Sequence, residues 1–338
     1  MASLEFCNVS KKFGNVSALN SIDLHIKDGE FMVLLGPTGA GKTTLLRLAA
    51  GLDNCSNGQI LKDGLPLDNV PPAERDVAFV FQQYSLYPHL SVYDNLAFPL
   101  RSNIRKVPEN EIKDRIHKIA EILHISHKLE NKATKLSGGE MQRVAIGRAL
   151  VRSPTIYFMD EPLSSLDAKL RADLRVELKR IQQELNATIL YVTHDQIEAM
   201  TLGDRIGVLK EGELIQVGTP EEIYTEPNSD YVATRLGLPQ INFLPRHCFD
   251  ENEQFLSKSA SLIGIRTEHL NLAKGSRNKY QAQVCGIDRL GDQSHLHLDF
   301  SGEKLTLLVP PNVSLDRDDV VSFELRDPIL FDEQGRRV

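Results

Sequence analysis

Up to about Leu236, short apolar runs alternate with amphipathic helical stretches. The runs Phe31-Met32-Val33-Leu34-Leu35, Val77-Ala78-Phe79-Val80-Phe81, Ile156-Tyr157-Phe158-Met159 and Ile189-Leu190-Tyr191-Val192-Thr193 have no polar alternation, as strands buried on both faces require. Between them, Ile112, Ile116, Ile119, Ala120 and Leu123 recur at helical spacing, and so do Leu170, Leu174, Leu178, Ile181 and Leu185. Strands separated by helices predict a parallel sheet with crossover connections. Arg205 to Val217 predicts a hairpin turning at Lys210-Glu211-Gly212. After Pro239 the helical period fades. Leu262 to Ile265, Tyr280 to Ile287, His295 to Phe300, Leu305 to Val309, Val320 to Leu325 and Ile329 to Phe331 read as short strands punctuated by Gly, Asp, Asn and Pro, the spacing of a small β-barrel. The boundary is expected near residues 236–245, where Gly237 and Pro239 interrupt the chain.

Composition narrows the function classes. The chain has 338 residues, long for one core, so two domains are expected. The net charge of −7 argues against a nucleic-acid binder, which needs a basic face. Cys7, Cys55, Cys248 and Cys285 are widely spaced with no CxxC pair, so neither a disulfide framework nor a zinc site is expected. The stretch MASLEFCNVSKKFGNV lacks the apolar core of a signal peptide. No apolar run approaches the ~20 residues of a membrane helix. A role at a membrane would therefore need a partner to hold the chain there.

Three motifs carry chemistry. Gly36-Pro37-Thr38-Gly39-Ala40-Gly41-Lys42-Thr43 has the form GxxxxGK[ST] and lies between a predicted strand and the helical stretch from Thr44. Its glycines let successive N–H groups turn inward onto phosphate oxygens, and the following helix adds unsatisfied N–H groups. Lys42 and a Mg²⁺ ion on the Thr43 hydroxyl would balance the charge of a nucleoside triphosphate such as ATP. Ile156-Tyr157-Phe158-Met159-Asp160-Glu161-Pro162 is an apolar strand ending in two carboxylates. Asp160 is a candidate Mg²⁺ ligand, and Glu161 a candidate base for the attacking water. Leu136-Ser137-Gly138-Gly139-Glu140, ahead of a predicted helix from Met141 to Val151, makes a second anion-ready helix start.

In their order and spacing, these motifs, with Ser164-Ser165-Leu166-Asp167 and Thr193-His194-Asp195, resemble the nucleotide-binding subunits of ABC transporters. The resemblance implies an α/β fold: a P-loop NTPase of ABC type over residues 1–236, with a helical subdomain at about 88–155. An OB-like (TOBE) β-barrel regulatory domain would follow over 237–338. It implies that ATP is sandwiched between Gly36 to Thr44 of one copy and Ser137, Gly138, Gly139 and Glu140 of a second, with ATP and Mg²⁺ as cofactors. It assigns Gln82 to the sensing of Mg²⁺ and water, His194 to the γ-phosphate, Asp167 to the dimer interface and Phe13 to stacking on adenine. Tyr84 to Val92, Gly218 to Tyr224 and Gly264-Ile265-Arg266-Thr267-Glu268-His269-Leu270 further resemble the ATPases of bacterial sugar importers of the maltose and glycerol-phosphate type. Those subunits lie on the cytoplasmic face of the inner membrane, beneath integral permease subunits that receive solute from a binding protein. Gln83 to Phe98 would form part of the permease-docking groove.

The chain departs from the family pattern at three positions. Glu140 replaces the usual Gln, Thr267 the usual Pro, and Phe13 a Tyr or Trp. Phe13 keeps a ring face for stacking. Polyamine and ferric-iron importers use similar ATPases, so the cargo reading rests on the Tyr87-Pro88-His89-Leu90-Ser91-Val92 stretch and the overall likeness. Soluble relatives that act on RNA or ribosomes usually carry two nucleotide-binding units per chain. This chain has one, and its tail lacks a basic-aromatic strand pattern, so no nucleic-acid partner is expected.

Overall fold

The computed structural model describes residues 2–102, 107–251, 253–273 and 280–338. The chain forms two compact units, Met1–Pro220 and Glu221–Val338.

The first unit contains strands β1 (Leu4–Phe13), β2 (Val16–Ile26), β3 (Phe31–Leu35), β4 (Asn57–Lys62), β5 (Leu65–Pro66), β6 (Val77–Val80), β7 (Ile156–Asp160), β8 (Thr188–Thr193), β9 (Arg205–Lys210) and β10 (Glu213–Gly218). Its helices are α1 (Lys42–Ala49), α2 (Val92–Ala97), α3 (Glu109–Ile122), α4 (Gly138–Leu150), α5 (Ala168–Leu185) and α6 (Gln196–Leu202). A six-stranded sheet runs β10-β9-β3-β8-β7-β6, parallel from β9 to β6, with β10 added antiparallel. All four apolar runs read as buried strands lie side by side in it. The β9–β10 turn places Glu211 at φ 48° and Gly212 at φ 83°, the left-handed pair that a tight hairpin needs.

A second, antiparallel sheet runs β2-β1-β4-β5. One apolar cluster joins its inner residues, among them Leu4, Phe6, Ile22 and Ile26, to Leu45, Leu46 and Leu48 of α1 and to Phe158, Leu190 and Val192 of the parallel sheet. Packing on both sides fixes α1, and with it the loop at its N-terminus. The helix predicted from Met141 begins at Gly138 instead, because Ser137 is its N-cap and Glu140 completes a capping box.

The second unit takes in α7 (Pro220–Thr225) from Glu221 onward, and then α8 (Asp230–Ala233). It continues with β11 (Asn242–Pro245), β12 (Leu262–Ile265), β13 (Leu270–Leu272), β14 (Tyr280–Arg289), β15 (Ser294–Phe300), β16 (Glu303–Val309), β17 (Val320–Leu325) and β18 (Ile329–Phe331). The strands form two antiparallel sheets, β11-β12-β18 and β13-β17-β14-β15-β16, a small barrel-like domain. Alternate residues of β15 and β16, including Leu296, Leu298, Leu305 and Leu307, enter one core with Phe300 and Phe323. The packing break falls at the first residue of α7, between Pro220 and Glu221, N-terminal to the boundary expected near residues 236–245. Buried Arg266 accounts for this: it donates to the carbonyls of Tyr224 (2.8 Å) and Ala233 (3.0 Å) and lies 3.9 Å over the Tyr224 ring, so the connector packs with the strands.

Candidate active site

The Gly36–Thr43 loop leaves the end of β3 and enters α1 at Lys42. Two of its glycines are obligatory. A Cβ at Gly36 would sit 2.7 Å from the Leu209 carbonyl oxygen. One at Gly41, where φ is 101°, would sit 2.7 Å from the Ala18 carbonyl oxygen. The loop therefore presses against β9 and β2, and its backbone bends where only glycine fits. Lys42, 5% exposed, donates from Nζ to the Gly36 (2.8 Å) and Pro37 (2.9 Å) carbonyls, so its charge lies inside the loop. Burial lowers the Lys42 pKa, against the opposing pull of Glu161 and Asp160.

Asp160 ends β7 and is 5% exposed. Its Oδ1 accepts a hydrogen bond from the Thr43 hydroxyl at 2.9 Å. Burial raises its pKa, opposed by that hydrogen bond. Glu161 turns away from the strand with φ 46°, a left-handed backbone rarely taken by a non-glycine residue. Its N–H donates to Val192 at 3.0 Å, and its carbonyl accepts the Ser164 hydroxyl at 2.9 Å. The turn brings its carboxylate 3.9 Å from Lys42 Nζ and 3.0 Å from His194 Nδ1. His194 follows the end of β8 and is about half exposed. Lys42, Thr43, Asp160, Glu161 and His194 thus converge at the C-terminal ends of β3, β7 and β8, where ligands bind open α/β sheets.

The other expected site residues lie outside this cluster. Gln82 is exposed, two residues past the end of β6 and beside the β7 terminus through the Val80–Met159 pairing. Asp167 is exposed and caps α5 by accepting the Leu170 N–H at 3.0 Å. Phe13, 50% exposed, ends β1 with Lys11 Nζ 4.8 Å over its ring. Ser137, Gly138, Gly139 and Glu140 form the first turn of α4. Among the described residues no hydrogen bond or ion pair joins them to the cluster around Lys42. Phe79, Phe81, Tyr84, Pro99, Arg148 and Arg152 line a cleft of about 140 Å³ beside the segment expected to form a docking groove.

The structure adds residues that the motifs did not single out. Arg171 on α5 pairs with Asp195, beside His194, at 3.3 Å. Glu198 on α6 is buried and accepts hydrogen bonds from Tyr191 (2.8 Å) and Thr193 (2.7 Å). Sequence spacing gives no sign of the first link, which joins residues 24 positions apart.

A glycine-enforced phosphate loop on a buried helix, with a buried carboxylate on its Thr hydroxyl and a Glu-His pair beside its lysine, defines a P-loop nucleoside triphosphatase. The ABC transporter family model matches residues 19–164. The sn-glycerol-3-phosphate import ATP-binding protein UgpC 1 of Rhizobium etli is 43% identical, covering 96% of this chain and 94% of its own. The trehalose/maltose import ATP-binding protein MalK of Thermococcus litoralis is 54% identical over 72% of this chain and 67% of its own. A dimeric, post-hydrolysis ATP-binding cassette bound to ADP and Pi is 32% identical, with TM-score 0.59, over 64% of this chain and 98% of the solved one. The chain belongs to the ABC transporter family and is one of its ATP-binding, ATP-hydrolysing subunits.

Proposed function

We propose that the chain is the ATPase subunit of a carbohydrate importer, working as a homodimer on the cytoplasmic face of the inner membrane beneath permease subunits fed by a solute-binding protein. Its carrying observation is likeness over nearly the whole chain to a subunit named for glycerol-phosphate import, supported by the one named for trehalose and maltose. This reading assigns residues 1–236 to the nucleotide-binding domain, of which 221–236 pack with the second unit, with a helical subdomain at about 88–155, and assigns 237–338 to an OB-like TOBE regulatory domain. Among the described residues no helix is long and apolar enough to cross a membrane. The cleft by Phe81 and Tyr84 offers the permease an apolar socket with Arg148 and Arg152 at its side.

In this reading, the loop N–H groups and Lys42 hold the phosphates of ATP, and Phe13 stacks on adenine. The paired oxygens of Thr43 and Asp160 suit a hard divalent cation, which these two residues would hold together with Gln82. When bound, Mg²⁺ supplies countercharge to the β- and γ-phosphates. Glu161 takes the proton of the attacking water as it adds to the γ-phosphorus, and ADP leaves. His194, held by Glu161, donates to the γ-phosphate. Ser137, Gly138 and Gly139 complete the site of the second copy, and Asp167 faces that copy. The test is uptake. Cells carrying only the Glu161→Gln chain should lose import of one labelled sugar, polyol phosphate or oligosaccharide from a panel. Intact uptake of the whole panel, with polyamine or ferric-iron import lost instead, would overturn the cargo.

A further inference from the structure

Arg171 lies one helical turn beyond Asp167, its N–H donating to the Asp167 carbonyl at 2.9 Å. Its guanidinium joins two loops. Nη2 donates to the carbonyls of Leu166 (3.0 Å) and Ser164 (3.4 Å), in the loop that carries Asp167. Nη1 donates to Asp195 Oδ2 at 3.3 Å. The other Asp195 oxygen, Oδ1, accepts the N–H groups of Ile197 (2.7 Å) and Glu198 (3.3 Å), capping α6. The Asp195 N–H donates to Thr193 Oγ1 at 3.0 Å, and that hydroxyl donates to buried Glu198 at 2.7 Å. His194 therefore stands between two anchored neighbours. The Arg171 and Asp195 side chains are only 30% and 21% exposed, so water screens their pairing weakly.

We propose that Arg171 is a positioning residue for His194. Through Asp195 it fixes the backbone that carries the histidine, and through the Ser164 and Leu166 carbonyls it ties that backbone to the Asp167 loop. A shift of the Asp167 loop against a second copy then moves the histidine of the same chain. This rests on the reading of His194 as a γ-phosphate contact.

Three variants of the full chain test it. Arg171→Met removes charge and donors. Arg171→Lys keeps a charge within reach of Asp195. Asp195→Asn keeps the oxygen that caps α6 and removes the carboxylate that Arg171 needs. Arg171→Met and Asp195→Asn should each lower kcat for ATP by about tenfold or more, the scale of a misplaced catalytic contact. Affinity for a non-hydrolysable ATP analogue should stay within about twofold. The double variant should be no slower than the worse single, because both break one link. Arg171→Lys should recover part of the rate. Additive losses, an unchanged kcat or a loss of nucleotide affinity with kcat preserved would overturn the assignment, and so would rates that merely track the folded fraction. If Arg171→Met does not fold, Asp195→Asn and Arg171→Lys decide between these outcomes. Wild-type turnover that disappears in His194→Ala tests the reading of His194 separately. If that holds while Arg171 and Asp195 prove uncoupled, only the positioning role fails.

Discussion

Asp160 and Glu161 are neighbours in the chain, yet the fold gives them different surroundings. Asp160 remains in the strand, buried, with the Thr43 hydroxyl as its partner. Glu161 leaves the strand through a left-handed turn and meets Lys42 and His194. The sequence showed the two carboxylates and their order. The φ of 46° that aims Glu161 is not visible in the letters, because the Val192 carbonyl on the neighbouring strand holds its N–H, while the Ser164 hydroxyl closes the turn on its carbonyl. Burial raises the Asp160 pKa, so the ionised group costs stability at neutral pH. That cost is present above the raised folded value and is gone below the ordinary carboxylate range, where Asp160 is protonated in both the folded and unfolded states. Asp160→Asn should therefore melt at or above the wild type at pH 7 without nucleotide, while hydrolysis falls by at least about a hundredfold. The difference in melting temperature should close on acidification towards pH 4. A variant that melts well below wild type at pH 7 would show that the Thr43 bond outweighs desolvation.

At the scale of elements, the buried parallel strands were legible because both faces are covered and the apolar runs are unbroken. β1 and β2 were passed over. Their apolar residues do alternate, but irregularities in the β1–β2 pairing after Phe6, Val9 and Lys11 change its phase, and β1 ends in exposed Phe13 while β2 begins in exposed Val16. The early start of α4 has a similar cause: glycines read as loop, while the reciprocal bonds between Ser137 and Glu140 make them the first turn. Glu140 Oε2 accepts the Ser137 N–H at 2.8 Å, and its Oε1 lies 3.1 Å from Lys128. The Ser137 N–H foremost holds the Glu140 pKa below the ordinary value. Glu140→Ala should cost about 1 kcal/mol, or roughly 2–4 °C in melting temperature for a unit of this size. The loss is expected in full above the ordinary glutamate range and should vanish as pH falls through the lowered folded value. Glu140→Gln restores the residue usual in the family and keeps the acceptor for Ser137. It should change stability by less than about 0.5 kcal/mol, since only the half-shielded Lys128 pairing is lost. Equal destabilisation by both substitutions would assign the stability to that pairing instead.

For the whole molecule, the sequence motifs divide into two sets that one chain does not join. Lys42, Thr43, Asp160, Glu161 and His194 form a cluster, while Ser137, Gly138 and Gly139 open α4 with no bond to it among the described residues. This is the arrangement expected if each ATP is shared by two copies, and the dimeric cassette with ADP and Pi shows that a chain of this fold can pair. Turnover would end such pairing quickly, so the Glu161→Gln chain is the useful background. With ATP it should run as a dimer by light scattering, and without ATP as a monomer. Adding Gly139→Asp places a carboxylate where the partner's γ-phosphate would lie. An acidic residue in the first turn of a helix favours that helix, and the nearest obstacle to the new Cβ is the flexible end of Leu166 at 3.1 Å. Each chain should therefore remain folded and bind ATP with unchanged affinity, yet fail to dimerise. A dimer that persists in Glu161→Gln with Gly139→Asp would show that the α4 start does not meet the nucleotide of a second copy. A loss of ATP affinity in that variant would place the two motif sets in one site after all.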